Sequence, residues 1–197
     1  RTFPAGRRFE GAHRDLYELV LAVQQAAIAA AKPGVEYREL HLAACSQMAA
    51  GLVDLGLFKG SAQDLVERDA HALFFPHGLG HMLGLSTHDA GGCLAGRAPS
   101  DRFGLKWLRA DLPLQPGYVV TIEPGIYFIK ALLDDPSRRR DFADCVEWSK
   151  VDALREFGGI RIEDDVLITE SGSEVLTAGI PKTIPEIETL RAQAFDS

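Results

Sequence analysis

Three of the chain's six histidines, His77, His81 and His88, fall within twelve residues, and Asp89 follows the last. Gly78 and Gly80 interrupt the first pair, so the spacing of four does not suit a helical zinc pair. The glutamate that follows the first histidine in helical zinc proteases is also missing. Glycines there suit an extended or bulged path with close backbone approach. One histidine of the pair can then be a ligand while the other stands just outside, and the spacing does not say which. Two later apolar runs carry acids, Val119 to Phe128 around Glu123 and Gly159 to Asp165 around Glu163. A carboxylate is costly to bury in such a run unless it is paired or bound to a metal. One histidine and two glutamates, with further histidines and Arg161 nearby, suit Mn²⁺, Co²⁺ or Zn²⁺ better than a soft metal. The chemistry implied is metal-assisted hydrolysis, although three ligands hold one ion poorly and a two-metal centre needs more carboxylates.

Local sequence indicates how these residues are presented. Strand alternation puts Arg161 and Glu163 on one face and Ile160 and Ile162 on the other. Pro124 removes a ladder donor and Gly125 permits a sharp bend, which re-aims Glu123. The spacing predicts a helix over Ala12 to Lys32, with Leu16, Leu19, Val20, Val23, Ala27 and Ile28 on one stripe and Lys32-Pro33-Gly34 as its stop. A second helix is expected from Glu36 to Leu55 and a short one near Ala62 to Ala70. His13 and His41 read as surface or packing histidines. From Leu73 the pattern changes to short apolar runs broken by glycine and proline, which indicates strands and loops. Gly91 to Asp111 reads as loop, and Leu114 to Gly117 as a turn before the Glu123 strand. Leu132 to Phe157 reads as an excursion that is partly helical around Trp148 to Arg155. A strand over Ile160 to Thr169 and a helix over Ile184 to Ala194 complete the pattern. Helices first and strands later favour α+β over a doubly wound sheet.

The bulk numbers narrow the class. At 197 residues, 46% hydrophobic and 25% charged, the chain can build one substantial core. A net charge of −7 argues against nucleic acid as a partner. Arg138-Arg139-Arg140 reads as a solvated loop beside Asp134, Asp135 and Asp141. Cys45, Cys93 and Cys145 are odd in number and lack CxxC spacing, which suits free thiols and a cytoplasmic location. No run reaches transmembrane length, so no membrane partner is expected. The opening Arg1-Thr2-Phe3-Pro4 reads as a cut strand, with the expectation that this is the later part of a longer polypeptide.

Taken in order, several segments carry a resemblance. They are Thr2-Phe3-Pro4, Phe75-Pro76-His77-Gly78-Leu79-Gly80-His81, Thr87-His88-Asp89, Leu108-Arg109, Leu114-Gln115-Pro116-Gly117, Ile122-Glu123-Pro124-Gly125-Ile126-Tyr127-Phe128 and Phe157-Gly158-Gly159-Ile160-Arg161-Ile162-Glu163-Asp164. The chain resembles the catalytic domain of the pita-bread Xaa-Pro peptidases, most closely bacterial Xaa-Pro dipeptidases (prolidases). The resemblance implies an α+β pita-bread fold, with residues 1–197 forming a C-terminal catalytic domain that lacks its first strands and the N-terminal domain. It implies that His81, Glu123 and Glu163 are ligands of two divalent ions, usually manganese, with Glu163 bridging them. It places His77, His88 and Arg161 around the reacting carbonyl. A metal-bridging water is then the nucleophile, Glu123 the proton shuttle, and His88 a substrate contact that stabilises the oxyanion. Arg109 matches the arginine that binds the carboxylate of a dipeptide ending in proline, and a homodimer is expected.

The departure from the family pattern is as informative. Its remaining two ligands are aspartates, the second lying just upstream of Thr-Phe-Pro, so both would precede Arg1. Three of five ligands are then present, and the fragment alone is expected to be inactive. An aminopeptidase that trims residues ahead of proline is the nearest alternative, disfavoured by Arg109 and the Leu132 to Phe157 insertion. Methionine aminopeptidase lacks the Thr87-His88-Asp89 and Arg161-x-Glu163 context. A pita-bread binding module without metal is disfavoured by His81, Glu123 and Glu163.

Overall fold

Two long helices pack on each other, and the first of them lies against the strands. In the computed structural model, which describes residues 1–90 and 96–196, α1 spans Ala12–Ala30 and α2 spans Tyr37–Asp54. The buried positions of α1, including Leu16, Val20, Val23 and Ala27, recur at three- and four-residue steps and form one stripe. Leu19 seats on Gly51 of α2, where a Cβ would lie 2.2 Å from the leucine Cδ1, so the helices meet closely. Cys93 and the first residues of the predicted 91–111 loop lie outside the described residues. From Gly96 to Asp111 no helix or strand forms, as expected.

Helix α3 (Ala62–Glu67) is capped by Ser61, whose Oγ accepts the Asp64 N–H at 3.1 Å. A 3₁₀ turn over Ala70–Leu73 follows, so the short helix expected there ends earlier and tightens. The 132–157 excursion begins inside α4 (Lys130–Leu133) and contains α5 (Pro136–Asp141) and α6 (Trp148–Ala153). The arginine run is therefore helical and not a loop. Asp135 caps α5, and Arg138 and Arg139 pair with Asp135 and Asp152.

The predicted strand over 160–169 is two strands, and the break between them matters. Strands β1 (Val119–Ile122), β4 (Asp164–Ile168) and β5 (Ser173–Val175) form one antiparallel sheet in the order β1-β4-β5. Strands β2 (Gly125–Tyr127) and β3 (Gly159–Arg161) form a second. The register continues across the gap, because Ile122 pairs with Asp164 and Gly125 with Arg161. Glu123 therefore stands opposite Glu163, and Pro124 opposite Ile162. Proline has no N–H to donate, which explains the break. Helix α1 contacts β1, β2, β3 and β5, and α7 (Ile184–Asp196) ends the described chain.

On the face away from Glu163, Asp164 is buried at the junction of three segments. It accepts from Gln24 of α1, Thr177 and Lys182, each at 2.6 Å, and pairs with Arg1. Burial raises its pKa, but the hydrogen bonds from Lys182, Thr177, Gln24 and Arg1 outweigh this and hold it below the ordinary value. A carboxyl with a lowered folded pKa stabilises the fold above its unfolded value of about 3.9, and that contribution is lost as pH falls through the folded value. Asp164→Asn should therefore cost about 3–5 kcal/mol at pH 7, the usual result of removing one partner from a buried charge cluster. Urea titrations should show the gap between wild type and variant narrowing at pH 3. An equal gap at both pH values would count against the ionised carboxylate as its source.

Candidate metal centre

The segment 79–83 lies along the free edge of β1 and brings the histidines to the glutamates. Leu83, Thr121 and Glu123 donate their N–H groups to Val119, His81 and Leu79, at 3.0, 2.9 and 2.8 Å. Met82 bridges Val120, so His81 stands opposite Thr121 and shares a face with Glu123. The close approach explains Gly80, where a Cβ would lie 2.0 Å from the Thr121 carbonyl oxygen and 2.4 Å from the Tyr37 hydroxyl. At Gly78 a Cβ would lie 2.9 Å from Leu108 Cα.

His81, Glu123 and Glu163 each direct a ligand atom to one place, all within 4.8 Å of one another. The hydrogen bonding around His81 settles what it offers there. Its Nδ1 lies 2.9 Å from the Met82 carbonyl, which can only accept, so the ring proton sits on Nδ1. In the neutral ring Nε2 then carries the lone pair, 3.1 Å from Glu123 Oε1. Thr121 donates to the same carboxylate oxygen at 3.0 Å while accepting the His81 N–H at 3.0 Å. In that form a lone pair and two carboxylates converge, an arrangement that suits a cation between them. Burial raises the Glu163 pKa, with the neighbouring Glu123 charge adding to the effect. The donor set of one imidazole nitrogen and carboxylate oxygens fits a divalent ion such as Mn²⁺, Co²⁺ or Zn²⁺. The backbone-tied Nδ1–H is the outer support usual for a ligating histidine.

Around this cluster runs a chain of hydrogen bonds. Arg161 Nε donates to Tyr127 Oη at 2.5 Å, Oη lies 3.0 Å from His77 Nε2, and His77 Nδ1 lies 2.7 Å from the Gly78 carbonyl. The carbonyl at one end and the guanidinium at the other fix the direction of every proton, leaving His77 neutral with its proton on Nδ1. Burial, with a smaller contribution from Arg161, lowers the His77 pKa to about 4 despite the Gly78 carbonyl. Arg161 Nη1 also reaches Glu123 Oε2 at 3.1 Å, so its partner is the cross-strand glutamate as well as the tyrosine. Neither Tyr127 nor Thr121 was singled out by the sequence, although a tyrosine two residues past Gly125 and a buried threonine two before Glu123 carry a signal through alternation.

The remaining predicted residues fall in the same place with different exposure. His88 is exposed, its ring edge-on to His81 with centroids 4.4 Å apart. Asp89 instead closes the turn before it, accepting the Leu85 N–H at 3.2 Å. Arg109 lines the cavity with His77, His81, His88, Glu123 and Arg161. The plain alternative for Arg109, a surface pair with Asp111, does not hold. Asp111 is buried and taken by Arg38 and Arg97. Among the described residues nothing pairs with Arg109. The cavity measures about 230 Å³, below the roughly 300–1,000 Å³ usual for drug-sized ligands, and so suits a small substrate. His41, by contrast, is buried and bonded to the Gly104 carbonyl at 3.0 Å, a packing histidine as expected.

Nearly the whole chain is similar to known peptidases. The chain is 42% identical to a human Xaa-Pro dipeptidase over 195 residues, covering 97% of this chain and 38% of that protein. It is 37% identical to a probable Xaa-Pro aminopeptidase pepP of Talaromyces marneffei, covering 96% of this chain and 40% of that one. Among solved structures, the Pseudomonas aeruginosa aminopeptidase PepP superposes with a TM-score of 0.77 at 37% identity, covering all of this chain and 38% of that one. A zinc-substituted Escherichia coli aminopeptidase P in complex with product gives 0.76 at 36% identity, covering 98% and 37%. The fold is thus the α+β pita-bread fold of those aminopeptidases. The chain spans about two fifths of the length of these relatives. Residues 1–170 match the model of one peptidase family, and with that match the chain belongs to metallopeptidase family M24.

Proposed function

We propose that residues 1–197 are the C-terminal catalytic domain of a metal-dependent Xaa-Pro dipeptidase. The observation that carries this reading is the convergence of ligand atoms from His81, Glu123 and Glu163 within 4.8 Å, beside a small cavity lined by Arg109, which has no ion-pair partner among the described residues. When bound, two divalent ions supply Lewis acidity and lower the pKa of water. Mn²⁺ is the favoured identity, with Co²⁺ or Zn²⁺ as alternatives. His81, Glu123 and Glu163 would hold them, together with the two aspartates that the resemblance places ahead of Arg1.

The chain's own residues do the rest. Arg109 holds the free carboxylate of the C-terminal proline, which only a dipeptide presents one residue after the scissile bond. A planar guanidinium can meet it with two parallel hydrogen bonds. His88, exposed at the mouth, touches the substrate and supports the developing oxyanion. Glu123 moves a proton from the attacking water to the departing proline nitrogen. Burial, with Arg161 acting through Tyr127, keeps His77 neutral and fixes its ring beside the reacting carbonyl, both ring nitrogens being engaged by Gly78 and Tyr127. The small peptide substrate, the net charge of −7 and the lack of any membrane-crossing helix among the described residues are compatible with a cytoplasmic homodimer that binds no nucleic acid.

Three expected outcomes test this reading. The 197-residue chain alone should not retain two ions, because three ligands poorly neutralise their mutual repulsion. Two tightly held ions per chain after desalting would refute the missing-aspartate assignment. In the enzyme that includes those aspartates, Glu163→Gln should abolish turnover and metal retention, whereas Asp165→Asn should not. Asp165 stands opposite Thr121, one step further from Glu123. Equal losses in the two variants would sink Glu163 as a ligand. Arg109→Ala should lower kcat/KM for an Xaa-Pro dipeptide by about 2–4 kcal/mol, with the dipeptide amide affected far less. Equal proportional losses for acid and amide would instead favour an aminopeptidase that does not read the carboxylate.

A further inference from the structure

The wall that carries Arg109 also presents an aromatic surface with no role assigned so far. Trp107 lines the same cavity, two residues before Arg109, and is 60% exposed. Its indole N–H has no partner among the described residues. A single exposed apolar side chain is ordinary at a surface; what sets Trp107 apart is its place in the wall of this cavity beside Arg109.

The segment bearing Trp107 is held at both ends. At the near end His41 donates to the Gly104 carbonyl at 3.0 Å and Arg102 pairs with Asp69 at 2.8 Å. At the far end buried Asp111 is gripped by Arg38 and by Arg97 at 2.9 Å. Midway, the Trp107 carbonyl accepts the Gly78 N–H at 3.3 Å, which ties the wall to the histidine segment. The side chains of Trp107 and Arg109 are therefore offered from a backbone fixed relative to the metal ligands. Lys106 Nζ lies 5.5 Å from the indole centroid, so the wall offers positive charge beside an apolar plane.

A ligand that combines a carboxylate with a compact apolar ring would satisfy both features at once. A proline residue at the chain end is such a ligand, and aromatic side chains are general docking surfaces for pyrrolidine rings. We propose that Trp107 is a specificity-determining residue whose indole packs against the ring of the proline after the scissile bond, while Arg109 holds its carboxylate. This rests on the dipeptidase reading and adds to it the residue that distinguishes proline from other C-terminal residues.

The test uses the enzyme with its upstream aspartates, Xaa-Pro hydrolysis as the assay, and L-proline and L-alanine as competing ligands. Alanine shares the carboxylate and amine but lacks the ring. Trp107→Ala should raise the inhibition constant for proline about tenfold, the scale of one or two lost methylene contacts, and leave that for alanine unchanged. KM for the Xaa-Pro dipeptide should rise by more than kcat falls, and Trp107→Phe should recover most of the loss. A merely structural role would weaken proline and alanine together and fail to be rescued by phenylalanine. Equal changes for the two ligands, or none, would overturn the proposal while leaving the dipeptidase reading intact. Failure of the unaltered enzyme to hydrolyse any Xaa-Pro dipeptide would overturn that reading and the role of Trp107 with it.

Discussion

Two carboxylates facing each other across a pair of strands form the constraint around which this fold is arranged. Glu123 and Glu163 occupy opposite positions where the ladder between β1–β2 and β4–β3 is interrupted. Like charges directly across a sheet repel, and here the nearest third group, His81 Nε2, contributes another lone pair. Arg161 and Thr121 relieve part of this at Glu123, and a cation among the three groups would relieve the rest. Much of the surrounding structure holds the three acceptors in place against that repulsion. The Tyr37 hydroxyl caps the Thr121 carbonyl at 2.6 Å, Thr121 links His81 to Glu123, and Met82 fixes the imidazole. Helix α1 buries its apolar stripe against these strands and α2 packs on α1, so the ordinary core supports an unusual polar centre.

Polar order also extends outward from the acceptors in a graded way. His81 and Glu123 are nearly inaccessible, His77 is half-buried, and His88 and Arg109 are exposed. Two of the three groups that would hold an ion are thus shielded from competing water, the half-buried Glu163 being the third, while groups that would meet a substrate remain free to approach it. Arg161 spans the two zones through its contacts with Glu123 and Tyr127.

Much of this was legible in the residues alone, for identifiable reasons. The stripe of α1 declares itself through its three- and four-residue recurrence, and Glu123 and Glu163 stand out because acids are rare in apolar runs. The Gly78 and Gly80 pattern correctly announced close backbone approach, which the Thr121 carbonyl now explains. What the residues could not disclose is tertiary. The division of the 160–169 strand depends on its partner Pro124, which is distant in sequence. The helical state of Arg138 to Arg140 follows from the Asp135 cap and from Asp152, whose placement depends on the fold of the whole excursion. The loss of Asp111 as a partner for Arg109 depends on Arg38 and Arg97, neither of which pattern or spacing connects to it.

The alternation that aims Glu163 at the acceptor cluster sends its neighbour Asp164 into the ring of Gln24, Thr177 and Lys182. If β4 slipped by one residue against β1, the two acids would exchange faces. Asp164 would meet Glu123 on a shorter side chain, while Asp165 would move into the place beside Lys182. The penalty for such a slip falls instead on Val166 and Ile168, which would leave the buried face of the sheet. The alternation that buries those two residues thus also aims Glu163, so that the metal-facing geometry is selected by contacts that never touch the metal.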